Sequence, residues 1–401
     1  MKYIVLVGDG MADYPIEELG GRTPLETART PHMDFIARNG RLGKIRTVPE
    51  KMTPASDVAN MSILGYDPRT YYSGRGPLEA ENLGVVLEEN DVAFRCNLVT
   101  IADEAMQDYS AGHISSKEAA QLIKAIDEKL GNERFKFYPG ISYRHLLLVK
   151  NGVLQGLDQV ACTAPHDILG KKIKDHLPAG KNAQTLLDLM QASRSVLEEQ
   201  EINHVRVDLK ENPANMIWLW GQGKKPRLPS FQEKFGFNGS VISAVDLIKG
   251  FGKMIGLEVI NVPGATGYYD TNYEGKAIAA IKSLEKKDFV FVHVEAPDEA
   301  GHNGDLREKI LAIERFDQYI VGGILEAFKN NRNFRILVLP DHATPIPLRT
   351  HTADPICFGI FGKGITGRGF AGYSEKEAEK SDLIFEQGHQ LMEFFIKSDS
   401  A

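Results

Sequence analysis

The sequence predicts an α/β protein with a doubly wound, mostly parallel sheet, into which an α+β domain is inserted. Three observations support this fold class. Continuous apolar runs near residues 3, 288 and 334 have the β-branched composition of buried parallel strands. Helical patterns alternate with apolar runs towards both ends of the chain. Between about residues 90 and 225 the order of strands and helices changes, which indicates a second core.

The composition describes a globular protein with a large core. The chain has 401 residues, which is enough for one very large domain or two ordinary ones. Apolar residues make up 42% of the chain and charged residues 25%, as in soluble domains. The net charge of −7 and the lack of a long Lys/Arg run argue against nucleic-acid binding.

The sequence also predicts a cytoplasmic location without a membrane partner. The apolar run that follows Met1 ends at Gly8, which is too short for a signal peptide, and no stretch reaches the length of a membrane span. The three cysteines, Cys96, Cys162 and Cys357, lack paired spacing, which is typical of a reducing compartment. The oligomeric state is left open.

The first predicted strand covers residues 3–7 and is followed by a Gly-Asp-Gly sequence, which leaves Asp9 at the carboxyl end of a central strand. A turn in which Asp9 bonds the backbone explains the same residues, and the pattern alone does not separate the two interpretations. A helix is predicted over residues 31–40, because Thr30 suits its cap and Gly40 suits its end.

A second helix is predicted over residues 57–64, with Ser56 at its N-cap and Gly65 as its stop. In the simpler interpretation, the Ser56 hydroxyl only caps the helix. The alternative is functional, because a hydroxyl at a helix N-terminus lies in a positive field that favours an alkoxide or a phosphate ester.

An inserted α+β domain is predicted between the two parts of the main sheet. Its strands are expected at residues 92–100, 135–149 and 215–220, and its helices at residues 116–130 and 183–200. Residues 224–237, rich in Pro, Lys and Phe, are expected to form the linker back to the main sheet. The first domain is then residues 1–85 and 235–401, and the inserted domain is residues 90–225.

The alternating pattern resumes after about residue 238. Helices are expected at residues 240–255, 273–284 and 305–329, and strands at residues 288–295, 334–339 and 355–361. Asp298 and His302 are predicted to lie in the loop that follows the first of these strands. Asp341 and His342 follow the second strand, and His351 precedes the third.

Three predicted strands each place an aspartate just past the carboxyl end: Asp9, Asp298 and Asp341. In open α/β sheets, ligands bind at that edge. The nearby loops add histidines, and Ser56 opens a helix that could face the same edge. Each residue alone has a structural explanation, but carboxylates and imidazoles together are ligands that zinc or manganese accepts. The sequence therefore predicts a divalent metal site.

The order of these motifs resembles the metal-site signature of the alkaline phosphatase superfamily. It resembles more closely the archaeal-type branch of the cofactor-independent phosphoglycerate mutase family. The resemblance is carried by Gly8-Asp9-Gly10, Thr53-Pro54-Ala55-Ser56-Asp57, Tyr66-Asp67-Pro68, Asp298 with His302, Asp341-His342 and His351-Thr352. It covers nearly the whole chain. It implies an alkaline-phosphatase-like first domain that binds metal and an inserted domain that binds substrate.

The resemblance implies two divalent metal ions, manganese or zinc, or alternatively magnesium or cobalt. One ion would be bound by Asp298, His302 and His351, and the other by Asp9, Ser56, Asp341 and His342. Ser56 would take the phosphoryl group of 3-phosphoglycerate and return it to the 2-hydroxyl of glycerate. The resemblance implies that 2,3-bisphosphoglycerate is not needed as a cofactor.

The partner that the resemblance implies is a small phosphorylated hydroxy acid, whose phosphate and carboxylate call for Arg and Lys. The candidates are Arg95, Arg144, Arg227 and Lys234, with Asp108 and His113 from a segment that resembles the family's substrate-facing segment. Arg75 is interpreted as a hinge residue or a further phosphate contact. For any one of these residues, a solvated surface position is an equally good explanation.

Other functions are also compatible with the sequence. The same serine and metals would serve a phosphotransferase with another acceptor, such as a homoserine kinase, or a phosphopentomutase, which the archaeal-type pattern disfavours. A non-catalytic metal-binding or metabolite-binding regulator is disfavoured because all seven ligand positions are present. His293 is predicted to be a hydrogen-bonded histidine of the core.

Overall fold

The computed structural model describes residues 1–397 of the chain. The chain forms two units: Met1–Tyr72 with the chain from Leu228 onward, and Ser73–Arg227. The second unit begins earlier than the predicted residue 90, because the helix Arg75–Leu83 packs on strands of that unit. No helix within residues 1–397 is long and apolar enough to cross a membrane.

Thirteen strands occur within residues 1–397. In chain order they are β1 (Lys2–Gly8), β2 (Arg41–Ile45), β3 (Val92–Ala102), β4 (Ala105–Asp108), β5 (Phe135–Tyr138), β6 (Arg144–Val149), β7 (Met216–Lys224), β8 (Gly239–Ile242), β9 (Glu258–Val259), β10 (Phe289–Val294), β11 (Phe334–Leu339), β12 (Ile356–Gly362) and β13 (Ile384–Phe385).

The α-helices of the same residues lie between and after these strands. In chain order they are α1 (Pro24–Thr27), α2 (Pro31–Asn39), α3 (Ser56–Ile63), α4 (Pro68–Tyr71), α5 (Arg75–Leu83), α6 (Ser116–Leu130), α7 (Gln184–Glu198), α8 (Glu201–Asp208), α9 (Phe231–Phe235), α10 (Asp246–Met254), α11 (Tyr273–Leu284), α12 (Ala296–Asn303), α13 (Leu306–Arg315), α14 (Gly322–Phe328), α15 (Glu375–Ala378) and α16 (Gln390–Lys397). A π-helical segment, Phe316–Val321, joins α13 to α14.

An eight-stranded sheet forms the centre of the first unit, in the order β13-β2-β12-β11-β1-β10-β8-β9. Strand β1 pairs in parallel with both β10 and β11. Strand β12 runs antiparallel to its two neighbours, so the sheet is mostly parallel, as predicted. Because β1, β10 and β11 are parallel neighbours, their carboxyl ends lie side by side at one edge.

Helices cover both faces of this sheet, which confirms the predicted doubly wound arrangement. Side chains of α2, α11, α13 and α14 pack with those of β1, β10 and β11 in one core. On the other face, α10 packs against β8, and the ring of Phe395 in α16 lies 5.7 Å from that of Tyr3. All residues of β10 and β11 are buried as a result.

The second unit has its own sheet and core. Its central strand is β3, which pairs antiparallel with β4, β6 and β7. Side chains of α6 and α7 pack against these strands, around the fully buried Trp218. The strands and helices predicted for this part of the chain are therefore present.

Two local predictions are wrong. The helix predicted over residues 240–255 begins only at Asp246, because the residues before it form β8 and pair with β10. Asp298 and His302 lie in α12 and not in a loop. Their four-residue spacing then places both side chains on one face of that helix.

Candidate active site

Asp341 follows β11 and is fully buried at the carboxyl edge of the sheet. Its Oδ1 accepts hydrogen bonds from the backbone N–H groups of Gly10 (3.1 Å) and His342 (2.9 Å). Its Oδ2 accepts one from Nδ2 of Asn60 at 2.7 Å. Burial raises the pKa of Asp341, but the imidazoles of His342 and His293 outweigh burial and hold this pKa below its usual range. Asp341 is therefore ionised at neutral pH.

Asp9 follows β1 and is buried beside two other carboxylates. Burial raises the pKa of Asp9 well above its usual range, and the negative charges of Asp341 and Asp298 raise it further. The Oδ1 atom of Asp9 has no hydrogen-bond partner within the described residues. Buried charges are normally paired or coordinated to a metal. The partnerless Oδ1 is therefore a position that a divalent cation would fill.

Ser56 is the first residue of α3, and Ala55 occupies the N-cap, so the predicted N-cap role of Ser56 is wrong. Its Oγ lies 3.1 Å from Nε2 of His342. One turn later, Nδ2 of Asn60 donates to the carbonyl oxygen of Ser56 at 2.8 Å as well as to Asp341. Asn60 therefore ties the start of α3 to the end of β11 and keeps the Ser56 hydroxyl at this edge.

His342 is fully buried between these groups. Its Nε2 lies 3.4 Å from Oδ1 of Asp9 and 3.6 Å from Oδ2 of Asp341. Burial lowers the pKa of His342 to about 4, although the charge of Asp341 opposes the shift. The imidazole is neutral at pH 7 and can offer a nitrogen lone pair to a metal.

Asp298 and His302 of α12 form a second group with His351. Nε2 of His302 lies 3.2 Å from Oδ2 of Asp298, and Nε2 of His351 lies 3.4 Å from Oδ1. The two Nε2 atoms are 2.8 Å apart. Burial lowers the pKa of His302, but the hydrogen bond to Asp298 outweighs burial and raises this pKa to about 9. This group of atoms therefore favours one positive charge between its members.

The structure brings the seven predicted ligands together at one edge of the sheet. Ligand atoms of Asp298, His342 and His351 lie within 4.8 Å of one another, as do those of Asp9, His293 and Asp341. The rings of His342 and His351, both in the first group, are 4.0 Å apart, and Nε2 of His342 lies 3.4 Å from Oδ1 of Asp9 in the second group. Carboxylate and imidazole donors at these separations suit zinc or manganese. The residues present therefore fit a site for divalent metal ions.

His293 belongs to this site as well as to the core. Its Nδ1 lies 3.3 Å from Oε1 of Glu295, as a core histidine with a partner would, but its Nε2 lies 3.4 Å from Oδ2 of Asp9. Although burial lowers it, contacts with Asp341 and Glu295 raise the pKa of His293 to about 9. The signal available in the sequence was position, because His293 is opposite Val7 near the ends of two parallel strands.

Glu295 and Lys276 were also missed, and they form a buried ion pair behind His293. Nζ of Lys276 lies 3.2 Å from Oε2 of Glu295 and donates to the carbonyl oxygen of His293 at 2.9 Å. Oε1 of Glu295 also accepts from the Ser243 hydroxyl at 2.9 Å. Although burial raises it, the charge of Lys276 lowers the pKa of Glu295. Lys276 therefore holds Glu295 ionised beside Nδ1 of His293.

Three of the predicted substrate residues lie close together in the second unit. The guanidinium groups of Arg75 and Arg95 lie 5.5 Å and 5.1 Å from the ring centroid of Trp220. Arg95 is buried and pairs with Glu79 at 3.1 Å. Burial lowers the pKa of Arg95, and the positive charges of Arg75 and Arg144 lower it further, whereas Glu79 raises it. These three arginines therefore concentrate positive charge in one part of the second unit.

The other predicted substrate residues are placed differently. The carboxylate of Asp108 accepts hydrogen bonds from Ser110 and Asn212, which lower its pKa although burial raises it. His113 has a left-handed backbone, with φ of 50°, and its ring lies 6.3 Å from that of Tyr143. Both residues shape one loop of the second unit.

Arg227 and Lys234 do not join the arginine group. Arg227 is 84% exposed and forms an ion pair with the exposed Glu89. Lys234 belongs to the first unit, where its Nζ lies 4.6 Å from the ring centroid of Tyr66. Burial lowers the pKa of Lys234.

Proteins that are similar to this chain in sequence carry the same enzyme name. A family model described as 2,3-bisphosphoglycerate-independent phosphoglycerate mutase matches residues 37–203. A protein of Geobacter sulfurreducens named as a probable mutase of this type is 53% identical, over 99% of this chain and 100% of its own length. A Methanosarcina barkeri protein with the same enzyme name is 53% identical, with the same two coverages.

Solved structures agree over the whole chain. A Pyrococcus horikoshii protein matches with a TM-score of 0.85 and 29% identity, covering 100% of this chain and 98% of that one. The cofactor-independent phosphoglycerate mutase of Thermoplasma acidophilum matches with a TM-score of 0.68 and 28% identity, covering both chains completely. Together with the identities above, these matches show that the chain belongs to the 2,3-bisphosphoglycerate-independent phosphoglycerate mutase family.

Proposed function

We propose that the chain interconverts 3-phosphoglycerate and 2-phosphoglycerate through a phosphoserine on Ser56, without 2,3-bisphosphoglycerate. The observation that carries the proposal is the position of the Ser56 hydroxyl. It lies at the start of α3 and 3.1 Å from Nε2 of His342, and that nitrogen lies 3.4 Å from Oδ1 of Asp9 and 3.6 Å from Oδ2 of Asp341. The names of the relatives support the same reaction.

The proposed metal ligands are the seven residues predicted from the sequence. Asp298, His302 and His351 would hold one ion, and Asp9, Ser56, Asp341 and His342 the other. Manganese or zinc suits this mixture of carboxylate and imidazole donors. Two bound divalent cations would favour the alkoxide of serine and stabilise charge on the transferred phosphoryl group. The unpartnered Oδ1 of Asp9 supports a cation in this place.

In the proposed reaction, the Ser56 oxygen attacks the phosphorus of 3-phosphoglycerate, and the bond between phosphorus and the C3 oxygen breaks. Glycerate then reorients, and its 2-hydroxyl oxygen attacks the phosphoserine and releases Ser56. The proton of the 2-hydroxyl is balanced by protonation of the C3 oxygen, so the net reaction is an isomerisation. The positive end of α3 favours the phosphoserine. Asn60 keeps that end in place through its bonds to Ser56 and Asp341.

The proposed substrate residues supply positive charge for a phosphate and a carboxylate. Arg75, Arg95 and Arg144 are supported by their mutual proximity, since guanidinium groups bind such anions in bidentate geometry. Asp108 and His113 are proposed for the substrate hydroxyls. Arg227 and Lys234 stay in the proposed set, because an exposed cation can exchange a partner such as Glu89 for substrate.

A direct assay tests the proposal. Purified protein with Mn²⁺ and 3-phosphoglycerate should form 2-phosphoglycerate, followed by ³¹P NMR, with no bisphosphoglycerate added. Ser56→Ala should abolish turnover, whereas Ser62→Ala, in the same helix, should keep it. Retained turnover in Ser56→Ala, or no turnover in the wild type at any metal loading, would refute the proposal.

A phosphotransferase with another acceptor is the second candidate. The same serine and metals would serve a homoserine kinase or a phosphopentomutase, but the names of the relatives do not favour either. Turnover of homoserine with ATP, and none of phosphoglycerate, would select the kinase.

We also propose a cytoplasmic location, which the free thiols of Cys96, Cys162 and Cys357 support.

A further inference from the structure

Thr344 touches one residue of each proposed metal group. It follows the Asp341-His342 pair by two residues and is fully buried. Its hydroxyl oxygen is in short hydrogen-bond contact with Oδ1 of Asp298 and lies 3.2 Å from Nδ1 of His342. Asp298 belongs to the first proposed group of ligands and His342 to the second. Neither the sequence motifs nor the proposed function assigns a role to Thr344.

The direction of these hydrogen bonds follows from chemistry. An ionised carboxylate only accepts hydrogen bonds, so the single hydroxyl proton of Thr344 is donated to Asp298. The hydroxyl oxygen must then accept from Nδ1–H of His342. A neutral imidazole has one N–H proton, so Nε2 of His342 is left with its lone pair exposed. That lone pair faces Oγ of Ser56 at 3.1 Å, whose hydroxyl can donate to it.

The surroundings of Thr344 fix its position. Its backbone N–H donates to the carbonyl oxygen of Ala12 at 3.3 Å, and its carbonyl oxygen accepts from Nζ of Lys309 at 2.8 Å. Lys309 is fully buried and pairs with Asp13 at 2.7 Å. A Cβ atom on Gly301 would lie 2.5 Å from the carbonyl oxygen of Thr344, so only glycine leaves room there. The hydroxyl therefore has little freedom to take other partners.

We propose that Thr344 is a positioning residue that joins the two metal groups: it orients Asp298 and fixes the tautomer of His342. This inference rests on the proposed assignment of Asp298 and His342 as metal ligands. Removal of a residue that hydrogen-bonds to a metal ligand typically weakens metal binding about 10- to 100-fold. Because one hydroxyl serves both groups, its loss should weaken both ions together.

Metal titration of three variants tests the coupling. Thr344→Val should bind both Mn²⁺ ions about 10- to 100-fold more weakly, as measured by the EPR signal of free Mn²⁺. Thr344→Ser, which keeps the hydroxyl, should restore wild-type affinity. Thr100→Val is the matched control, because Thr100 is also buried and its hydroxyl donates to the carbonyl oxygen of Pro213 in the second unit. Its Mn²⁺ affinities should equal those of the wild type.

The tautomer of His342 gives a second readout that needs neither metal nor activity. Long-range ¹H–¹⁵N spectra of the metal-free protein should show His342 with its proton on Nδ1, assigned from its loss in His342→Gln. In Thr344→Val the proton should move to Nε2, towards the carboxylates of Asp9 and Asp341. Thermal unfolding of the metal-free variants checks that each one is folded.

Each contrary result overturns a separate statement. A proton on Nε2 of His342 in the wild type, or unchanged Mn²⁺ affinities in Thr344→Val, would refute the positioning role. Weakening of one ion alone would refute the coupling, and failure of Thr344→Ser to restore binding would refute the role of the hydroxyl. If the wild type bound fewer than two Mn²⁺ ions, the proposed function would fail, whereas the NMR result would still decide the tautomer.

Discussion

Substitution of Gly10 tests whether close packing holds the proposed ligand residues in place. Gly10 has φ of +59°, in the left-handed region that favours glycine. A Cβ atom there would lie 2.5 Å from Oδ1 of Asp298, 2.6 Å from Oγ1 of Thr344 and 2.7 Å from the Cα atom of Asp298. One of these atoms is backbone, so rotation of a side chain cannot relieve the clash. We expect Gly10→Ala to displace Asp298 and Thr344 together.

The loss of stability expected in Gly10→Ala has two parts, a backbone part and a packing part, and Gly20 offers a matched control that separates them. Gly20 has φ of +68°, but a Cβ atom on it would meet nothing within 4 Å. Alanine at either position costs about 1–2 kcal/mol for the left-handed backbone. Gly10→Ala adds roughly 1–3 kcal/mol for overpacking. The free energy of unfolding should therefore fall by about 2–5 kcal/mol for Gly10→Ala and by about 1–2 kcal/mol for Gly20→Ala.

Urea unfolding of the metal-free variants, followed by circular dichroism, measures this difference. Mn²⁺ titration should show about 10- to 100-fold weaker binding in Gly10→Ala. Gly20→Ala should bind Mn²⁺ as the wild type does. If Gly10→Ala were no less stable than Gly20→Ala and bound Mn²⁺ with wild-type affinity, the packing argument would be refuted.

Two further predictions concern charged groups. Burial raises the pKa of Glu375 to about 7 from an ordinary 4.5, so the folded chain binds more protons than the unfolded chain between these values, and this stabilisation is lost as pH rises through 7. In the wild type, this loss should lower the free energy of unfolding, measured in urea from pH 4.5 to 8, by at most about 1.4 kcal/mol per pH unit. Glu375→Gln should not show this decline, and an unchanged decline in the variant would contradict the argument. Arg144→Ala should raise the KM for phosphoglycerate about 10- to 100-fold through loss of a charge-assisted hydrogen bond, with a smaller effect on kcat. Arg134→Ala, which removes a guanidinium 4.8 Å from the Phe135 ring, should leave KM unchanged, and equal KM values for the two variants would count against substrate binding by Arg144.

The strands that carry the proposed ligands could be predicted from the sequence because their residues are buried on both faces. Such strands have continuous apolar runs that end where polar residues begin, so Asp9 and Asp341 mark the ends of β1 and β11. Parallel pairing of neighbours then brings those ends to one edge. The inserted unit was recognised for a related reason, since its elements break the alternation of strand and helix.

Other elements could not be predicted because pairing, and not composition, decides them. Strand β8 has four residues and runs into α10 after a short gap, so its apolar residues fit a helical pattern. Hydrogen bonds to β10 decide in favour of the strand. The first unit also contains β2 and β13, which were missed because neither has the continuous apolar run of the central strands.

Within the site, the motifs predict which residues would reach a metal but not which atom of each residue would do so. Asp-His neighbours after a strand are compatible with either nitrogen of the imidazole facing the site. The choice at His342 depends on Thr344, whose hydroxyl proton is taken by Asp298, a residue 46 positions away in the chain. The choice at His302 depends on the carbonyl oxygen of Arg349, 3.0 Å from Nδ1 and 47 positions away. The tautomers are therefore properties of the fold, and contacts between distant residues convert a motif into a site with defined donor atoms.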